Sequence, residues 1–122
     1  MLNKNSILAA LFWALINTTT FLLLVEVKPV PQTWPKDKLE HAIVFALLSY
    51  LGIKAYSTKA YSKYALTICL ALAIFGGLME LLQSQLTLTR SGSVADWLAD
   101  IVGITLGLFA LNLHKNPLQA HE

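Results

Sequence analysis

An all-α fold, a polytopic membrane protein with four transmembrane helices in a small bundle, follows from three features of the sequence. Hydrophobic residues make up 56% of the 122 residues and charged residues only 13%, about half the charged share of a soluble domain. Four apolar stretches approach the roughly 20 residues needed to cross the hydrocarbon core. Segments carrying most of the lysines and prolines separate them. Residues 1–122 read as a single domain, without repeats or low-complexity tracts.

The first span runs from about Ser6 to Val25 and is softened by Asn17 and Thr18 to Thr20, whose side chains can bond back to helix carbonyls. Its apolar stretch exceeds the core of a secretory signal peptide, and no small-x-small cleavage site follows before Glu26, so we expect a retained span. The second runs from about Leu39 to Ile53 and is short, with Asp37, Lys38 and a snorkelling Lys54 extending it to the interface. The third covers about Tyr64 to Leu82 and the fourth about Val94 to Leu113. The loops are residues 26–38, 54–63 and 83–93, and a polar tail follows from His114.

Four spans put both termini on one side. The end of the first helix, the start of the second, the end of the third and the start of the fourth then share the other side. Glu26, Asp37, Lys38, His41, Glu80, Gln83, Arg90, Asp96 and Asp100 all fall near that second side. Lys4, Lys54, Lys59, Lys63 and Lys115 lie on the terminal side, against Lys28, Lys36, Lys38 and Arg90. With the basic, acid-free middle loop, this bias puts the termini in the cytoplasm.

Ionisable side chains inside a span are costly in lipid and mark structural or functional need. On the fourth helix, Asp96, Asp100, Gly103 and Gly107 follow i, i+4, i+7, i+11 and share one face. The Gly103-x3-Gly107 half suits close helix approach. Ser93-Val-Ala-Asp96 also reads as a capping box, so Asp96 has a structural role available beside a functional one. Asp100 lies a turn deeper, beyond the reach of capping, and calls for a polar partner. On the third helix Gly76, Glu80 and Gln83 share a face, with Gly77 beside them. Glu80 can brace the bundle by pairing with Arg90, or serve as a carboxyl for proton transfer or ligand contact. On the second helix Asp37 and His41 are i, i+4 neighbours, and Asp37-Lys-Leu-Glu40 is another capping pattern. His41 is either a hydrogen-bonded packing residue or a group that exchanges protons near neutral pH.

His41, Glu80 and Asp96 are therefore the catalytic candidates, and Lys38, Arg90, Gln83, Asp37 and Asp100 the ligand-binding ones. In an enzymatic reading Glu80 or His41 is the general base, Arg90 stabilises developing negative charge and Asp96 orients the histidine. A histidine among carboxylates can hold a divalent ion, but no metal-specific spacing such as H-E-x-x-H is present, so no residue is assigned as a metal ligand and no cofactor is specified. Ser91 and Ser93 lie near the cluster without a nucleophile elbow, and there is no phosphate loop. A net charge of +2 without a basic, aromatic-interleaved stripe sets nucleic acid aside. The single cysteine, Cys69, rules out an intrachain disulfide. The tryptophans and tyrosines near span ends read as an interfacial belt.

Together these residues resemble the VanZ-like family of small bacterial membrane proteins. Three elements carry the resemblance: Asp37-Lys-Leu-Glu-His41 with Phe45, then Gly76-Gly-Leu-Met-Glu-Leu-Leu-Gln83, then Arg90-Ser-Gly-Ser-Val-Ala-Asp96 with Asp100, Gly103 and Gly107. They cover residues 35–109. Asp100 stands where the family usually has asparagine, adding a negative charge or a shared proton beside Asp96. The family takes its name from a member linked to teicoplanin resistance, so the resemblance implies a cell envelope setting in the bacterial inner membrane. The function expected is binding of an anionic or lipid-linked envelope component. The alternatives are a membrane-embedded acid/base enzyme on a lipid-linked or peptidoglycan-related substrate and a structural subunit of a membrane complex. The partners expected are membrane lipids, a lipid-linked envelope precursor, and a homo-oligomer or membrane partner protein.

Overall fold

The computed structural model describes residues 3–24, 36–57 and 63–86 and 94–119, with side chains over 3–22, 38–57, 63–85 and 94–113. Within these it is all-helical: α1 Lys4–Leu24, α2 Lys36–Tyr56, α3 Lys63–Leu86 and α4 Val94–Gln119. Each contains a stretch long and apolar enough to cross a membrane: Lys4–Leu22, Lys38–Tyr56, Lys63–Gln85 and Val94–Leu113. The expected small membrane bundle is thus the observed architecture.

Local chemistry accounts for the helix ends. Asn3 caps α1, its Oδ1 accepting a 2.7 Å hydrogen bond from the Ser6 amide. Within α1, Thr20 Oγ1 donates to the Ile16 carbonyl and Asn17 Nδ2 to that of Trp13, so these polar side chains satisfy themselves on the helix backbone. The helix α2 is longer than hydropathy alone indicates. Lys54 lies in its last turn, favourable to the helix dipole, and its ammonium reaches the Tyr50 hydroxyl at 3.3 Å. Helix α3 likewise continues through Gln83 to Leu86, and α4 continues through Pro117 to Gln119, beyond the expected start of the polar tail. Apolar composition marks the lipid-spanning part of a helix, whereas backbone hydrogen bonding continues past it into the interface.

The helix α1 runs antiparallel to α2: Phe12 packs against Gly52, and the Trp13 indole N–H donates to the Tyr56 hydroxyl at 2.8 Å. The closest pair, α2 and α4, is parallel. Gly103 meets the backbone of Ala42, and Gly107 meets Ala46 and Ser49 one turn further along both helices. A Cβ on Gly103 would lie 2.9 Å from Ala42 Cα, so no larger residue fits without separating the helices. Phe12, Phe45, Leu48, Leu72 and Ile104 form the central core, and Ile53, Ala65 and Leu111 a second cluster at the terminal end. Outward stripes are apolar as well, for example Leu66, Leu70, Ile74, Leu78 and Leu81 on α3. In water such a surface would be a liability, but in lipid it is the matching solvent.

Candidate functional site

The parallel packing of α2 on α4, with α3 antiparallel to both, brings the start of α2, the end of α3 and the start of α4 together. Five ionisable side chains meet there. His41 Nδ1 lies 2.8 Å from Asp100 Oδ1 and 3.9 Å from Glu80 Oε1. On its other side, His41 Nε2 lies 4.0 Å from Asp96 Oδ2. Lys38 closes the group through an ion pair from its ammonium to Asp96 Oδ1. With Asp100 ionised its oxygen can only accept, so Nδ1 carries a proton and donates, and Nε2 is the ring nitrogen turned toward Asp96.

Depth and burial follow from helix position. Asp100 lies six residues after Val94, about 9 Å along the axis from the start of α4, and its side chain is 1% exposed. The side chains of Glu80 and Asp96 are also buried, that of His41 is 9% exposed, and that of Lys38, at 23%, marks the rim. Gly76 makes room for Asp100: a Cβ there would stand 2.8 Å from Asp100 Oδ2. Gly77, its neighbour, instead faces the Trp97 indole, whose N–H donates to the Ala73 carbonyl at 2.9 Å. Adjacent glycines thus serve different contacts, one admitting a carboxylate and the other an indole. Gly103 and Gly107 face Ala42, Ala46 and Ser49 of α2.

The structure brings together Lys38, His41, Glu80, Asp96 and Asp100, all singled out from the sequence. Gln83 is buried one turn beyond Glu80 on α3. Asp37 lies in the first turn of α2, but its side chain is outside the described residues, as is the whole of Arg90. The Glu80–Arg90 pair and the role of Arg90 therefore fall outside the description too. Asp96 sits at the third residue of α4, the position a Ser93 cap requires, and at the same time reaches Lys38 on α2.

Two relationships differ from the expectation. The hydrogen bond that orients His41 runs from its Nδ1–H to Asp100, with Asp96 on the opposite edge of the ring. The reason is depth: one extra helical turn carries Asp100 below the imidazole, whereas Asp96 stays level with Lys38. Trp97 does more than sit in an interfacial belt, since its indole N–H ties α4 to α3. Ser49 was not singled out by spacing. It is fully buried, donates to the Ala46 carbonyl and faces Gly107. The signal was available: Ala42, Ala46 and Ser49 form a stripe of small residues that complements Gly103 and Gly107.

Chemically, the arrangement can hold and exchange protons, orient an imidazole, or engage a charged group at the rim through Lys38. Comparison of the chain with family models, with curated proteins and with solved structures finds no match, so the resemblance to VanZ-like proteins stands on the three quoted motifs alone.

Proposed function

We propose that this chain is a VanZ-like integral protein of the bacterial inner membrane, with cytoplasmic termini, that binds an anionic or lipid-linked envelope component. One observation carries the reading: ionisable side chains from three helices meet inside one end of a bundle whose outer surface suits lipid. Intramembrane ionisable groups mark ligand or ion sites. Among the described residues Lys38 is the cation at the rim of the cluster, and in this reading it meets the headgroup. Asp96 holds its ammonium in place, and an arriving phosphate exchanges with that carboxylate as the counter-ion.

Native mass spectrometry of the detergent-solubilised chain with a polyprenyl phosphate tests this. A retained one-to-one adduct, about tenfold weaker in Lys38→Gln, supports the reading, as expected for loss of a charge-assisted hydrogen bond. An absent adduct, or one equally strong in the variant, refutes it. A C-terminal reporter that is active only in the cytoplasm checks the orientation.

A second reading, a membrane-embedded acid/base enzyme on a lipid-linked or peptidoglycan-related substrate, is favoured by the His41–Asp100 pair. A carboxylate on Nδ1 that leaves Nε2 as the proton acceptor is the usual arrangement of a histidine base. Turnover of such a substrate by wild type, lost in His41→Asn, distinguishes it from binding alone.

A further inference from the structure

The same five side chains carry an inference that stands whether or not the headgroup reading does. His41, Glu80 and Asp96 each offer a ligand atom, from α2, α3 and α4 respectively, and these three atoms lie within 4.8 Å of one another. We infer that they form a binding site for one divalent transition-metal ion of the Zn2+ or Mn2+ class.

The ligand chemistry fits that class. One imidazole nitrogen and two carboxylate oxygens combine a donor favoured by zinc with donors favoured by manganese. Ligands around a tetrahedral zinc ion stand about 3.4 Å apart, given bond lengths of about 2.1 Å. The three ligand atoms, within 4.8 Å of one another, must therefore draw in by up to about 1.4 Å, a movement of side-chain rotation.

The cluster is more than a group of acids, because its supporting contacts are those of a ligand set. A metal-bound histidine nearly always donates its other ring N–H to a carboxylate or carbonyl, which fixes the tautomer and the ring plane. Asp100 makes that contact at 2.8 Å and is itself fully buried. Asp96 is held in the same way: Oδ1 engages Lys38, and Oδ2 is the oxygen turned toward the imidazole. Gly76 admits the Asp100 carboxylate beneath the ring. The two supporting groups, Lys38 and Asp100, are distinct from the three ligands, so His41 and Asp96 are oriented before any ion arrives. Burial of Glu80 and Asp96 strengthens a charge–charge interaction that water would screen.

The test uses the full chain in detergent micelles carrying H114N and H121N, which leaves His41 as its one histidine. After chelator treatment, equilibrium dialysis against Zn2+ and, separately, Mn2+ is followed by elemental analysis. Pulsed electron paramagnetic resonance on the Mn2+ sample reports whether an imidazole nitrogen coordinates the ion. The expected result is one ion per chain with a nitrogen coupling. Glu80→Gln and His41→Asn should abolish binding, and the supporting variant Asp100→Asn should weaken it about 10–100-fold. The exposed Glu40→Gln should leave it unchanged. No ion on the background chain, an ion without nitrogen coupling, or equal affinity in folded Glu80→Gln and His41→Asn overturns the site. The spectroscopic readout on the background chain decides the matter even if a ligand variant does not fold.

Discussion

At the terminal end of the bundle, α2, α3 and α4 contribute Ile53, Ala65 and Leu111, all fully buried. At the opposite end the same three helices contribute His41, Glu80 and Asp100, also buried or nearly so. The inward stripe thus changes from apolar to ionisable along each helix, while large apolar side chains are exposed along the outward faces at both ends. In lipid, apolar side chains gain little from leaving hydrocarbon for hydrocarbon, so the terminal end is held by shape and van der Waals contact. Ionisable groups have no such indifference: lipid cannot solvate them, and they must find one another. The two ends are therefore packed for different reasons, and a site belongs at the end where packing alone does not explain the residues.

Substitutions can break that comparison. The largest effect is expected between the ends, where α2 and α4 are closest. Gly103→Ala places a methyl group against the Ala42 backbone and should destabilise the bundle by about 3 kcal/mol, lowering the melting temperature in detergent by several degrees. A neutral outcome would show that α2 and α4 do not pack this tightly.

Next comes the apolar end. Leu111→Ala leaves a cavity beside Ile53 and should cost about 2 kcal/mol or more in the same thermal unfolding assay. At the polar end the expected sign differs. Glu80→Gln, Asp96→Asn and His41→Asn, compared in one detergent, should melt within about 1 kcal/mol of wild type or above it, because sites hold charged groups at some expense of stability. If all three melt as far below wild type as Leu111→Ala, the polar end is internal bracing and the contrast between the ends disappears. The smallest effect belongs to the lipid face: Leu98→Ala should shift stability by no more than about 0.5 kcal/mol. A larger loss there would reveal a face covered by another protein chain rather than by lipid.

Much of this was legible in the residues. Helical spacing alone put Asp96, Asp100, Gly103 and Gly107 on one face, and the alternation of four spans alone brought Lys38, His41 and Glu80 to the same end. Both rest on local geometry that a sequence states directly. The partnerships within the cluster were not legible, because they depend on the relative depth of helices that are distant in sequence. Asp100 and not Asp96 bonds His41 since α4 is set against α2 at Gly103 and Ala42, a register that neither helix states by itself. Ser49 was overlooked for a related reason, a small side chain carrying little signal until Gly107 is seen facing it.

The sequence by itself determined the number of spans, their apolar exteriors and the end at which the charges gather, because hydropathy and helix period act within a single segment. Only the tertiary structure decided which carboxylate holds the imidazole, which one pairs with Lys38, and that Trp97 joins α4 to α3. Those choices depend on how closely helices approach one another. Approach in a membrane is governed by the fit of small residues across an interface, and that fit exists only when both helices are in place.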